Sequence, residues 1–395
     1  MTLFRNVRTI FLIAFSVMSI ACQAQTSSVS SGPIQTGADQ MALYLPALQG
    51  KRVGMVVNHT SRIGTSHLVD SLIARGVTIK TIFAPEHGFR GEATDGEKIS
   101  NSRDQRTNVF ITSLYGQNRK PSPAQMDSLD VVIFDIQDVG TRFYTYISTM
   151  HYVMEACAEN NKPLIVLDRP NPNGHYIDGP VLDPKFKSFV GMHPIPVVHG
   201  LTVGELARMI NGEGWLAGRK TCPLTVVPVK NYTHQTPYVL PVRPSPNLPN
   251  QQAVLLYPSL CFFEGTVVSV GRGTDKQFQV IGSPYTQYGA YTFTPVDKPG
   301  SINPPMEGQL CYGLDLSTVS ISKKQMMLDY FFDFYKKASD KSKFFLANGG
   351  IDRLAGTDQL RLQMIAGVSE ATIRKSWQPA LGAYKQTRAK YLLYP

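Results

Sequence analysis

The chain lacks the short signatures that identify most enzymes at sight. It has no Walker-type loop and no G-x-S-x-G elbow. Gly271-Arg272-Gly273 is not a phosphate fingerprint, because it lacks the strand–glycine–helix context. His59, Asp70, His87 and His151 do not assemble into a metal motif by spacing. Cysteine is scarce, with 5 in 395 residues. Cys157, Cys222, Cys261 and Cys311 match neither a zinc nor a redox spacing, and their apolar neighbours mark them as small buried hydrophobes. Beyond the N-terminus no apolar run is long enough to span a bilayer, and no internal repeat occurs. Blocks of Lys and Arg interleaved with aromatics are also missing, which argues against nucleic acid as a partner.

What is present is a globular composition, 43% apolar and 17% charged. The length suffices for a large core and two domains. The net charge of +10 suits anionic partners such as cell-wall polymers. At the N-terminus, Arg5 and Arg8 flank a short apolar stretch, residues 9–21, which reads as a secretory signal. Cys22 follows Ile20-Ala21 and precedes a Ser/Thr/Gln-rich run. That pattern resembles a bacterial lipoprotein cleavage site, with Cys22 as the lipidated residue; ordinary cleavage after Ala24 is the alternative. The chain then divides into a signal at 1–22, a flexible tether at 23–40, a parallel-sheet domain at 41–255 and a smaller α+β domain at 256–395. Export places the protein in the periplasm, with membrane contact only through a lipid anchor.

Short apolar runs at 52–57, 79–83, 131–134 and 164–167 each end abruptly in polar side chains. Such runs, separated by helix-like segments, read as strands of a parallel sheet buried on both faces. Ligands of such sheets bind beyond the carboxyl ends of the strands. Helices are expected at 66–74, 122–127, 142–160 and 203–211, the last opened by a Thr202–Glu205 capping box that explains Glu205 without catalysis. Residues 237–258 are Pro-rich and read as an irregular crossing. In the C-terminal third, strands are expected at 267–270, 277–281 and 314–321, and helices at 325–338, 358–366 and from 370 onward.

The polar strand ends hold the candidate chemistry. After the second run comes Glu86-His87-Gly88-Phe89-Arg90-Gly91-Glu92. Glycosidic cleavage usually needs two carboxyls, one to protonate the leaving oxygen and one to activate water or attack carbon. Glu86 and Glu92 supply such a pair, or Glu86 pairs with an acid from another strand end such as Asp135. The other reading of Glu86 and Arg90 is a surface ion pair. After the third run, Asp135 and Gln137 share a side. Asp138 either joins them or caps the next helix. Arg142 near that helix start opposes the dipole, so it is expected to answer an anion, either Asp138 or a ligand carboxylate. Tyr144 and Tyr146 either stack on a sugar or pack. After the fourth run, Asp168-Arg169-Pro170-Asn171 is stiffened by proline. His199, Asn247, Glu264 and Arg272 are further polar candidates. A metal held by His87, Asp135 and Asp168 is an alternative arrangement.

These clusters, in this order, resemble the NamZ-type exo-β-N-acetylmuramidases. The stretches that carry the resemblance include GKRVGMVVNHT, FAPEHGFRGE, FDIQDVGTRFYTYISTM, VLDRPNPNG, PIPVVHGLTVGELARMIN, PSPNLP, LYPSLCFFEGT, GRGT and KYLLYP. They cover roughly residues 50–395. The resemblance implies a Rossmann-like N-terminal domain with a smaller C-terminal domain and a cleft between them. It also implies release of terminal β-1,4-linked N-acetylmuramic acid from the non-reducing end of peptidoglycan fragments, with no cofactor. The lactyl carboxylate of that sugar suits an arginine, and Arg90, Arg142 and Arg169 are the expected readers. Two other readings compete: a lipoprotein that captures muropeptides without cleaving them, and a metal-dependent amidase or esterase of the envelope.

Overall fold

The computed structural model describes residues 32–86, 88–89, 102–321 and 324–395. The expectations at Cys22, His87, Arg90 and Glu92 lie outside the described residues. The strands follow one another as β1 (Arg52–Val57), a small hairpin of β2 (Arg62–Ile63) and β3 (Ser66–His67), β4 (Thr78–Ala84), β5 (Ser102–Arg103), β6 (Phe110–Ser113), β7 (Val131–Asp135), β8 (Leu164–Leu167) and β9 (Leu224–Val227). Seven of them form one sheet in the order β5-β6-β4-β1-β7-β8-β9. All pairings in it are parallel except β5–β6 at the edge. The chain steps outward from β1 through β4 to β6, then returns to the other flank of β1 as β7. Strand order therefore reverses between β1 and β7, where open α/β sheets offer a crevice.

Alternation along the strands divides the apolar side chains between two cores. Val56, Phe83, Phe134 and Val166 face one side, and Met55, Ile82, Ile133 and Ile165 the other. The second face is covered by α1 (Leu68–Ile73) and by Tyr44 and Leu48. Against the first lie α2 (Pro123–Asp127), α3 (Tyr146–Glu159) and α4 (Val203–Gly212). Ile147, Met150, Met154 and Cys157 recur on one face of α3 and are buried. Thr202 and Glu205 close the expected capping box at the start of α4.

The C-terminal part adds α5 (Gln251–Leu260), β10 (Val280–Ser283), β11 (Tyr291–Phe293) and β12 (Cys311–Asp315). These strands form an antiparallel sheet in the order β10-β12-β11. Four helices follow: α6 (Asp329–Lys337), α7 (Gly350–Ala355), α8 (Gln359–Ile365) and α9 (Glu370–Ala389). Phe262, Phe263, Phe331 and Phe334 join the same apolar cluster as Val56 and Phe134, so both halves share one core. The expected α/β class, a parallel sheet followed by a smaller α+β part, is what the chain forms.

Three expectations shift. The helix expected from residue 142 begins at Tyr146, because Gly140 turns at φ +79° and Arg142 N–H donates to the Val197 carbonyl at 2.8 Å. Arg142 thus sits before the helix and opposes no dipole. The Pro-rich crossing contains α5, which carries Pro258 inside it. Residues 267–270 form only an isolated bridge, Ser269 to Gly282, since that stretch is a buried connection rather than a sheet member.

Candidate active site

The ends of β7 and β8 carry acids and an arginine, and the fold binds them to one another. Asp135 closes β7 and is fully buried. Arg169, just past β8, donates to its carboxylate through Nε at 2.6 Å and Nη2 at 2.9 Å, and Nη2 also reaches the Arg62 carbonyl at 3.2 Å. Burial pushes the Asp135 carboxyl upward, and the Arg169 guanidinium pulls it back. Asp168 accepts four hydrogen bonds: Arg169 N–H at 3.0 Å, Gly204 N–H at 2.8 Å, the Thr202 hydroxyl at 2.6 Å and the Tyr394 hydroxyl at 2.6 Å. Burial still raises its carboxyl to about 6. Gly204 approaches so closely that a Cβ there would lie 2.7 Å from the Asp168 carboxyl carbon.

The crevice between β1 and β7 is filled in the same way. Thr60 donates through its hydroxyl to Asn58 Oδ1 at 2.6 Å and accepts from Gln137 N–H at 3.0 Å. Gln137 Nε2 donates to the carbonyls of Asp138 and Pro170, each at 2.8 Å. Asn171 donates to the Leu201 carbonyl and accepts from Asn173 N–H, both at 2.8 Å. Asp135, Gln137, Asp168, Arg169 and Asn171, expected to meet a ligand, stitch strand ends together in this structure and do not line the open cleft described next. Arg142 is corrected as well. Its guanidinium is fully buried and donates to the carbonyls of Pro180 at 2.8 Å, Ile195 at 2.7 Å and Leu354 at 3.0 Å, answering no carboxylate.

The open cleft lies one layer further out, with about 670 Å³ of empty space that runs into open solvent. Its floor and walls come from both halves of the chain. Glu86, two residues past β4, stands on one wall half-buried and accepts from the Thr145 hydroxyl at 3.1 Å. Tyr144, from the turn before α3, and Tyr146, the first residue of α3, enter packed edge-on with centroids 5.0 Å apart. Both are buried, so packing is the main role of each. Asn247 is held through Nδ2 by the Gly300 carbonyl at 2.8 Å, and its Oδ1 is buried without a partner. Glu264 and Arg272 also line the cleft, as a pair, Nε to Oε1 at 2.5 Å. The Arg272 guanidinium lies over Phe278, 5.2 Å from the ring centre.

Arg272 is presented by a turn that only glycine permits. Gly271 and Gly273 have φ of +78° and +77°. A Cβ at Gly271 would lie 2.5 Å from Val280, and one at Gly273 would lie 2.6 Å from Pro304 and from the Val296 carbonyl. The glycines that fail as a phosphate fingerprint thus serve to aim an arginine.

Between the two layers sit Asp138 and His199. The His199 Nε2 is 3.8 Å from Asp138 Oδ2, and Gly140 N–H donates to that oxygen at 2.7 Å. Asp138 Oδ1 and His199 Nε2 have no hydrogen-bond partner. Burial pushes Asp138 up to about 7 and His199 down to about 3, so neither group favours its charge. Asp138 does not cap α3, whose first residue lies well beyond it.

Of the sequence candidates, the cleft gathers Glu86, Tyr144, Asn247, Glu264 and Arg272. Sequence reasoning passed over Thr145, Ser245, Tyr257 and Phe278, which also line it. Phe278 follows the Gly-Arg-Gly turn closely and was readable as the arginine's platform; Thr145 and Ser245 carry no such signal.

Fold and site together define a two-part α/β protein whose carboxyl-bearing cleft lies beyond the sheet and is completed by the C-terminal part. Residues 53–252 match the family described as exo-beta-N-acetylmuramidase NamZ, N-terminal, and residues 255–394 match its C-terminal counterpart. The chain belongs to the NamZ family. It is 37% identical over 405 residues to the peptidoglycan beta-N-acetylmuramidase NamZ of Bacillus subtilis (strain 168), covering 95% of each chain. Crystal structures of two DUF1343 family proteins of Bacteroides fragilis NCTC 9343 share the fold. One has a TM-score of 0.85 at 48% identity, the other 0.77 at 28%, each covering 92% of this chain and 99% of its own.

Proposed function

We propose that this protein is an exo-β-N-acetylmuramidase that hydrolyses terminal, non-reducing β-1,4-linked N-acetylmuramic acid from peptidoglycan fragments. The observation that carries this reading is likeness over nearly the whole chain, both halves of the cleft included, to a protein named for that activity. The geometry adds a carboxyl in the right kind of place. Glu86 stands on the cleft wall, half-buried, with Thr145 fixing one oxygen. In the proposed mechanism Glu86 serves as general acid or base at the glycosidic oxygen. The second carboxyl is Glu92, six residues further along the sequence. A neighbouring-group route through the substrate's acetamido oxygen is the variant of this scheme, with a carboxylate orienting the amide. Asp135 has no part in it, since Arg169 holds both its oxygens.

The test is turnover of a chromogenic β-N-acetylmuramide by the purified protein, with Glu86→Gln beside it. Release of the chromophore by wild type, and its loss in the variant with the fold intact, is the expected result. Binding without turnover by wild type would make the protein a muropeptide receptor instead. We further propose export to the periplasm with a lipid anchor on Cys22. Incorporation of a clickable palmitate that disappears in Cys22→Ala tests the anchor; a soluble, unlabelled product would overturn it.

A further inference from the structure

N-acetylmuramic acid differs from its neighbour in the glycan, N-acetylglucosamine, by a lactyl ether that ends in a carboxylate. An enzyme that tells them apart by charge needs a cation in its cleft. Arg142 is sunk among carbonyls, and Arg169 is locked to Asp135. Among the described residues that line the cleft, Arg272 is the cation. We propose that Arg272 is the specificity-determining residue that binds the lactyl carboxylate, with Glu264 as the positioning residue that holds its guanidinium in place. The inference rests on the muramidase reading above.

Four features support it. The Gly271 and Gly273 turn aims the side chain and leaves no room for a Cβ at either flank. The Phe278 ring supports the flat face of the guanidinium. Glu264 engages Nε on one edge, which fixes the plane of the fork before substrate arrives. The same cleft also buries one oxygen with no partner among the described residues, Asn247 Oδ1. A buried polar atom without a partner is costly, and a ligand that supplies hydroxyl or amide donors relieves it. Beside its two acids, Glu86 and Glu264, the cleft thus offers one cation for a carboxylate and one neutral acceptor, Asn247 Oδ1, for a hydroxyl or amide donor.

The experiment uses two substrates on the full chain: 4-nitrophenyl β-N-acetylmuramide and the same compound with its lactyl carboxyl converted to the N-methylamide. Wild type is expected to favour the acid by about 10- to 100-fold in kcat/KM, mainly through KM, the range of a charge-assisted contact. In Arg272→Ala that preference falls to near one. In Arg272→Lys, which keeps the charge but not the fork, part of it survives. Glu264→Gln reduces it and raises KM more than it lowers kcat. Arg272→Gln keeps a polar side chain in the turn and carries the comparison if the alanine variant does not fold. An unchanged preference in Arg272→Ala or Arg272→Gln overturns the assignment, as does equal loss on both substrates. If wild type handles both compounds equally, no residue reads the carboxylate and the inference fails while the glycosidase reading stands. If wild type turns over neither, both fall.

Discussion

At the ends of β7 and β8, Asp135, Asp168 and Arg169 leave no buried side-chain atom without a partner, whereas one layer out Asn247 buries an oxygen that no described residue meets. Both layers are rich in ionisable groups, and both sit beyond the carboxyl edge of the same sheet. The difference lies in saturation. A buried polar network whose members all satisfy one another holds a fold together. One with vacancies facing a cavity costs stability and is retained where a ligand completes it. Asp138 and His199 fall between, for they are buried and incomplete yet absent from the cleft wall.

Substitutions break or sharpen this contrast. The largest effect is expected from the outer layer: Glu86→Gln lowers kcat by about 10²- to 10⁴-fold with the melting temperature unchanged. A stability loss instead, with kcat per folded molecule preserved, would place Glu86 among the structural groups. Next comes the inner layer. Asp135→Ala leaves Arg169 buried without its counter-charge and costs about 3–5 kcal/mol in denaturant unfolding. Full stability with lost turnover would erase the distinction between the layers. Asn247→Ala, in the outer layer, raises KM about 10-fold and shifts unfolding little, as read from steady-state kinetics and thermal melts. Tyr394→Phe removes one donor from Asp168 and costs about 1 kcal/mol without touching KM.

The smallest effect tests the intermediate pair. Burial pushes the folded Asp138 carboxyl up to about 7, from the ordinary 3.8 of an exposed aspartate. Between those values the native state holds more protons than the unfolded chain. The associated stability is full below about 4 and is lost as pH rises through about 7. Asp138→Asn removes that dependence, so its melting temperature relative to wild type rises between pH 5 and pH 8. A constant offset across that range would mean that Asp138 is ionised in the native state.

The sheet was legible because its signal is local. Runs of Val, Ile and Leu ending at Val57, Asp135 and Leu167 state both the strand and its last residue. The Thr202 capping box was legible for the same reason. The roles of the polar strand ends were not. Asp135 and Arg169 are 34 residues apart, and Asp168 and Tyr394 are 226 apart, so no spacing rule predicts that they consume one another's hydrogen bonds. Arg142 misled for a related reason: its partners are backbone carbonyls, which carry no sequence signature. Arg272 was named as a candidate, but its glycines were weighed only against a phosphate loop. Their positive φ shows a different use.

Tyr394 donates to Asp168, accepts from Val229 N–H and, with Leu393, supplies backbone N–H groups to Glu205, while His234 N–H donates to the Pro395 carbonyl. The last link in the sheet's polar seam therefore comes from the far end of the polypeptide. A nascent chain threading off the ribosome holds β8 and α4 long before it holds the residues that seal them. Loop closure over such a distance belongs to slow, high-contact-order folding. The N-terminal half expressed by itself leaves the Asp168 and Glu205 carboxylates each short of the donors that Leu393 and Tyr394 supply.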